Sequence, residues 1–240
     1  MFLDWISPSR TLEQTEDGRN CQECQLFINP LTVHQIAESL GRAVDAKHPA
    51  TYAHSEEVAA VSHLVALRLG LSPHVAHMVH LAGHLHDIGK IRIPDAILHK
   101  PGPLSPHEMA VMRTHAEAGA AILEPVAVFR MPGGVVDIVR CHHERYDGSG
   151  YPAGLRGCAI PFGARIVAVA DSLSAMLQER SYKKARSFPD AMAEIQSLAG
   201  VWYDPKVVAA LSAIYEEVAH TLQVIRSQSR GVRPAGAASF

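Results

Sequence analysis

The sequence predicts an all-α fold. Apolar residues recur at intervals of three and four in segment after segment, no stretch alternates apolar and polar residues as a half-buried strand would, and Ser-Pro or Asp-Pro pairs stand where helices should begin. A polar lead over residues 1–30 reads as a short extension. The folded body opens with a helix over 31–46, in which Val33, Ile36, Leu40 and Val44 are expected to face inward. A second helix covers 55–69, with Val58, Val61, Leu64, Val65 and Leu69 inward, and a third begins after Ser72-Pro73 and runs to Asp87. Prolines at 94, 101 and 103 exclude a regular helix from 90–104, where a long ordered loop is expected. Ser105-Pro106-His107-Glu108 combines an N-cap serine, a first-position proline and a capping-box glutamate, and the helix it starts carries His115. A short helix over 135–144 ends in His142 and His143. Asp147-Gly148 and Ser149-Gly150 then turn the chain into a loop over 151–161. From Phe162 a helix holds Ile166, Val167, Val169, Ala170, Leu173 and Met176, with Asp171 set among them. The last helix follows the Asp204 cap and buries Val207, Leu211, Ile214, Val218, Leu222 and Ile225. The body thus spans 31–226, and 227–240, rich in Ser, Arg, Gly and Ala, reads as a flexible tail.

At 240 residues and 48% hydrophobic, the chain can bury one full core of ordinary size. Its 22 basic and 24 acidic residues leave a net charge of −2, without the basic field that would hold a nucleic-acid polymer. No stretch reaches the roughly 20 apolar residues of a membrane span. Residues 1–5 have neither the basic flank nor the apolar core of a signal peptide, so a cytoplasmic protein with no membrane partner is expected. Cysteines 21, 24, 141 and 158 do not form a secreted disulfide framework, and Cys21-x-x-Cys24, without a second such pair, reads as free thiols. Histidine is the unusual count, 15 in all, and it is the commonest protein ligand for transition metals.

Two runs concentrate that chemistry. One is His86-Asp87-Ile88-Gly89-Lys90; the other is His142-His143-Glu144-Arg145-Tyr146-Asp147-Gly148-Ser149-Gly150-Tyr151-Pro152. Adjacent His and Asp point about 100° apart on a helix. One ion therefore uses both most readily where the helix ends, as Gly89 would mark, or where the aspartate bridges two ions. Asp171 adds an independent clue, because a carboxylate within an apolar helix is costly unless paired or metal-bound. With His54 and His115 on amphipathic helices, the set His54, His86, Asp87, His115, His142, His143 and Asp171 is too large for one tetrahedral zinc and suits two ions of higher coordination. His77, His80 and His84 share a helix face, but that spacing fits an ordinary exposed or partly buried surface, and His84 is not expected to reach the site. His48, His99 and His107 belong to loops or caps.

These motifs, with Ile160-Pro161-Phe162-Gly163-Ala164-Arg165-Ile166-Val167-Ala168-Val169-Ala170-Asp171 following the second, resemble the HD-GYP family of the HD superfamily of metal-dependent phosphohydrolases over residues 31–220. The resemblance implies an HD-superfamily helical bundle with an irregular loop after the HD motif, and makes 31–226 the catalytic domain. It implies hydrolysis of the bacterial second messenger cyclic di-GMP to linear pGpG and GMP. It also implies two divalent ions, commonly iron or manganese, on the seven residues above, with Asp87 bridging them. Arg180 and Lys183 match positions that contact substrate phosphate, although a solvated charge cluster fits them equally. The GYP region is associated in the family with contacts to GGDEF-type cyclases. Family members often carry a sensory domain ahead of the catalytic one, for which 30 residues are too few, so a stand-alone catalytic domain is expected. A homodimer is compatible with the sequence, which shows no seam.

The residues support that chemistry on their own. A phosphodiester requires an in-line nucleophile and charge neutralisation on its oxygens. Two ions about 3.5 to 4 Å apart supply a bridging hydroxide and clamp the phosphate without a serine or cysteine nucleophile. Catalytic roles fall to Asp87, as the bridge, and to Lys90, whose ammonium is placed to neutralise the same phosphate. Lys90, Gly150, Tyr151 and Pro152 are expected on the substrate side of the site, the glycine letting backbone approach closely. Four positions depart from the family pattern. Ala50 stands where some members hold a third metal through glutamate. Ser174 replaces a usual second aspartate and is expected to orient a water or a ligand. Glu57 replaces a commonly basic residue and is expected on the surface, and Arg92 adds charge to the loop after the HD pair. The alternatives are the same chemistry on cyclic GMP-AMP or another nucleotide, and a non-catalytic module that binds cyclic di-GMP or a partner. The intact ligand set favours the enzyme.

Overall fold

The computed structural model describes residues 30–47, 53–178 and 185–231. The expectations placed on Cys21, Cys24, His48, Ala50, Arg180, Lys183 and residues 232–240 lie outside them. The regular structure of the described residues is helical, with one isolated bridge between Ala199 and Tyr203 as their only strand-like pairing. None of their helices is long and apolar enough to cross a membrane.

Helix α1, Pro30–Lys47, lies against α3, Pro73–Leu85. Its inner face is small rather than bulky. Ala37 and Val44 are buried, whereas Ile36 and Leu40, expected inside, are exposed. The reason is close approach: a Cβ at Gly41 would come within 2.5 Å of the His84 carbonyl oxygen, so only small residues fit along that seam. Helix α2, His54–Arg68, has no side-chain cap of its own. Asp45 of α1 substitutes for one, accepting from Ser55 N at 3.0 Å and Ser55 Oγ at 2.7 Å, which fixes where α2 begins. Gly70 turns the chain with φ 78°, and Ser72 caps α3 by accepting from Val75 N. The α2 and α3 backbones nearly touch where Gly83 meets Ala59.

The expected loop after the HD pair is partly helical: a 3-10 turn covers Ile88–Arg92 and a four-residue α4 covers Asp95–Leu98. Helix α5, Pro106–Arg113, starts with the full capping box between Ser105 and Glu108. The chain bends at Thr114, whose hydroxyl donates to Val111 O, so His115 begins a separate α6, His115–Leu123. Helix α7, Val135–Cys141, is shorter than expected and stops just before the paired histidines. Helix α8, Phe162–Met176, is the central element, packed on α2, α3 and α7, with Ile166, Val167 and Leu173 fully buried.

Beyond it lies a helix that the apolar periodicity did not reveal, α9, Phe188–Ser197, capped by Ser187 accepting from Asp190 N. The single C-terminal helix expected after Asp204 is two: α10, Pro205–Ala213, and α11, Tyr215–Gly231, divided where Ile214 leaves helical geometry at φ −118° and ψ 29°. Residues 227–231 are therefore helical rather than part of a loose tail.

Gly83→Ala should place a methyl 2.5 Å from Ala59 Cα and push α2 off α3. The expected loss is about 1–3 kcal/mol of stability, read from denaturant unfolding. An unchanged midpoint would mean the two backbones are not held together as tightly as the packing requires.

Candidate metal centre

Four helix ends and the middle of α8 bring the seven predicted ligand residues together. His54 is the first residue of α2, His86 caps the C-terminus of α3 with Asp87 next to it, His115 is the first residue of α6, and His142 caps α7 ahead of His143. Asp171 reaches them from α8. Two trios have ligand atoms within 4.8 Å of one another, His54–His86–Asp87 and His115–His142–His143. The carboxylates link them. Asp87 Oδ2 lies 3.3 Å from His86 Nε2 while its Oδ1 lies 3.4 Å from His115 Nε2. Asp171 Oδ1 lies 3.1 Å from His54 Nε2 and its Oδ2 lies 4.0 Å from His143 Nδ1.

One local device orients three of the rings. His86, His115 and His142 each donate from Nδ1 to the carbonyl three residues back, Gly83 at 2.8 Å, Met112 at 2.7 Å and Val139 at 2.7 Å. A carbonyl can only accept, so each Nδ1 carries a proton and each Nε2 is the ring atom turned toward the centre. Gly89 serves the same assembly in a way its sequence position did not indicate. Helix α3 has already ended at Leu85, and the glycine is required because a Cβ there would overlap the His115 carbonyl. The 3-10 turn after the HD pair can thereby press directly on α6.

The electrostatics suit a cation. Burial opposes ionisation of Asp87, but Lys90 and His86 beside it hold its pKa well below the usual carboxylate range. Asp171 is likewise opposed by burial and held down by the His54 hydrogen bond and the charge of His86. Burial pushes His142 and His143 down, His143 to about 3, so these rings are neutral donors. Burial pushes His86 down too, but Asp87 and Asp171 prevail and raise it to about 9, which shows how strongly the spot attracts positive charge. His86 Nε2 and Asp87 Oδ1 are buried without a hydrogen-bond partner. Such atoms cost about 1–3 kcal/mol each unless something coordinates them. Two ionised carboxylates among imidazole lone pairs fit a divalent metal, and the clustered side chains form a metal-binding site.

Behind His54 stands a relay that corrects one expectation. Ser174 orients a protein ligand: His54 Nδ1 donates to its Oγ at 2.9 Å, and that hydroxyl donates to Glu57 Oε2 at 2.6 Å. Glu57 is not on the surface but 1% exposed, with Arg226 of α11 forming a two-point pair at 2.7 and 2.9 Å. The basic partner comes from a distant helix, so spacing around His54 gave no sign of it.

On the open side, Lys90 forms a short ion pair with Asp87 and remains partly exposed. The Tyr151 ring stacks on His143 with centroids 4.9 Å apart, and the Arg113 guanidinium lies 5.1 Å from the Tyr151 ring centre. Gly150 packs against backbone, where a Cβ would come within 2.6 Å of His143 O, and Pro152 is exposed at the loop's edge. Glu144 holds this loop, its buried carboxylate accepting from Ala153 N at 2.8 Å and Leu155 N at 3.0 Å. Glu144 and Arg113 were not singled out from sequence; a charged residue directly after paired histidines is the one available signal for the former. Arg92 is exposed on the 3-10 turn, and His84 faces His80 instead of the centre.

Arg226→Ala should strand the Glu57 carboxylate in the core. A loss of about 1–3 kcal/mol is expected, between the values for exposed and fully buried pairs, because the arginine is partly solvated. Thermal unfolding of the full chain checks it, and a melting temperature equal to wild type would remove the relay's structural role.

The HD domain family profile matches residues 38–207. The chain is 45% identical over 172 residues to the cyclic di-GMP phosphodiesterase response regulator RpfG of Xanthomonas campestris pv. campestris, covering 72% of this chain and 45% of that protein. It is 38% identical over 186 residues to the 3'3'-cGAMP-specific phosphodiesterase 2 of Vibrio cholerae, covering 78% of this chain and 35% of that one. The chain thus spans less than half the length of these two relatives. A crystal structure of a cyclic GMP-AMP specific phosphodiesterase from V. cholerae shares the fold, with a TM-score of 0.63 at 20% identity over 85% of this chain and 54% of that one. Together with the helical architecture and the paired His-Asp and His-His motifs, these matches show that the chain belongs to the HD domain family, in its HD-GYP-like form.

Proposed function

We propose that this chain is a metal-dependent phosphodiesterase that hydrolyses cyclic di-GMP to linear pGpG and onward to GMP. One observation carries the reading: Asp87 turns one carboxylate oxygen toward His54 and His86 and the other toward His115 of the histidine trio. His54, His86, Asp87 and Asp171 would hold one divalent ion, and Asp87, His115, His142 and His143 a second. The family resemblance makes iron or manganese the expected metals. Bound there, two such ions supply charge neutralisation at a phosphate and lower the pKa of water at neutral pH.

The chain's own residues supply the rest. Lys90, at the rim and paired with Asp87, gives a positive charge that a substrate phosphate can share. Tyr151, fixed by His143 and Arg113, offers a flat apolar edge beside the metal ligands, suited to positioning a ribose or base. The Glu144 contacts keep that edge in place without touching substrate. Arg180 and Lys183 are proposed to bind the more distant phosphate. The exposed residues after Tyr151 give the surface on which contacts with GGDEF-type cyclases or a second copy of the chain would form. Similarity to both a cyclic di-GMP and a 3'3'-cGAMP phosphodiesterase supports a cyclic dinucleotide as the substrate class.

Anaerobic purification, metal analysis and chromatography of products from cyclic di-GMP and 3'3'-cGAMP test the reading directly. About two metals per chain are expected, with pGpG or GMP formed; turnover of 3'3'-cGAMP alone would overturn the substrate, and loss of both activities in a metal-loaded chain would overturn the enzyme. Asp87→Ala should abolish hydrolysis and lower metal content, since it removes the shared ligand; unchanged turnover would remove Asp87 from its bridging place. Lys90→Ala should lower kcat by about 10²–10³-fold, the usual effect of removing one charge-stabilising group, with metal content retained.

A further inference from the structure

Outside the HD centre, α1 and α3 bring a second group of histidines together. His34 comes from α1, and His80 and His84, four residues apart, project from one side of α3. One ring nitrogen from each lies within 4.8 Å of the others. The His34 and His80 rings stack with centroids 5.0 Å apart, and His84 meets His80 edge-on at 4.7 Å. None of the three belongs to the HD centre. His84 precedes His86 by only two residues, but its ring points to His80.

The hydrogen bonding leaves this group short of partners. His80 Nδ1 donates to Ala59 O at 3.0 Å, so its Nε2 presents a lone pair, the same orientation by a backbone carbonyl that prepares the HD ligands. That Nε2 lies 3.2 Å from His84 Nε2. If His84 donates from Nε2, its Nδ1 is left as a bare acceptor, and that atom is buried without a partner in a side chain only 4% exposed. The Nδ1 of His34 is also buried and unpartnered. Burial pushes His80 down to about 4, so the ring stays neutral. Protein hydrogen bonds therefore leave ring nitrogens of the group without partners, and one nitrogen per ring lies close enough to the others for a single cation to draw on all three. Glu38 Oε2 lies 3.9 Å from His34 Nε2, but its other oxygen is paired with Arg42 at 2.7 Å, so a fourth position would fall to water.

We propose that His34, His80 and His84 form a separate binding site for a divalent cation of the zinc class, joining α1 to α3. Imidazole donors favour zinc, copper or nickel over magnesium and calcium, and three histidines with one further position match a tetrahedral ion. The site would fasten α1 to the helix that His86 caps, without lending a ligand to the HD centre.

The test uses the full chain and Zn2+ alone. Zinc content and affinity are measured for wild type, for His34→Gln and for a His142→Ala chain in which the HD centre is impaired. His34→Gln should lose one equivalent that wild type binds, or bind it more weakly by more than the about 10–100-fold of an outer-shell change. His142→Ala should keep the His34-dependent equivalent, so failure of the HD reading and failure of this one are separable. Added Zn2+ should also raise the melting temperature of wild type and of His142→Ala, but raise that of His34→Gln less. Equal zinc number and affinity in wild type and His34→Gln would overturn the site. Should His34→Gln not fold, anomalous scattering at the zinc edge from wild-type crystals decides: a peak among the three rings supports the site, and none there with the HD centre filled overturns it.

Discussion

Two ionised carboxylates buried among five imidazoles impose the condition that the rest of the chain meets. Asp87 and Asp171 cannot remain charged in the interior without positive charge beside them, and each imidazole must turn one nitrogen toward them. Helix ends solve both parts. The last carbonyls of a helix have no intrahelical donor, and the Nδ1–H groups of His86, His115 and His142 go to carbonyls in such last turns. One contact thus completes a helix terminus and fixes a tautomer. The short α7, the bend at Thr114 and the end of α3 before the HD pair follow from the same need for a helix to stop where a ligand begins.

Around this centre the glycines mark where backbones have to meet. Gly89 lets the 3-10 turn touch α6, and Gly150 lets the loop after His143 fold back on itself. The GYP run is chiefly a scaffold in this structure. Glu144 anchors it from below, Tyr146 and Asp147 donate to the carbonyls of Trp202 and Val201, and Arg145 stacks 3.7 Å from the Trp202 ring centre. Tyr151 is the part of it that turns toward the metal ligands.

Much of this was legible in the sequence because ligand motifs and caps are local. His86-Asp87, His142-His143, the Ser105 capping box and the Asp204 cap each sit within a few residues of the feature they specify. Asp171 was legible as a charge out of place in an apolar helix. What escaped depends on residues distant in sequence. Arg226 meets Glu57 across the fold, His34 meets His80 and His84 only when α1 packs on α3, and the exposed Ile36 and Leu40 reflect a seam too narrow for large side chains. Helix α9 was missed for a different reason: its cap, Ser187 with Pro189 and Asp190, was present, but the apolar positions behind it are sparse.

Ser174 and Glu57, two of the positions read from sequence as departures from the resemblance, touch at 2.6 Å. The two departures are one exchange of charge across a single contact. An acid restored at 174 alone would face Glu57 at hydrogen-bond distance inside the core, and a base restored at 57 alone would face Arg226. Neither step is neutral while the other residue stays. Position 174, position 57 and Arg226 are therefore coupled, and a charge changed at one calls for a compensating change at the others.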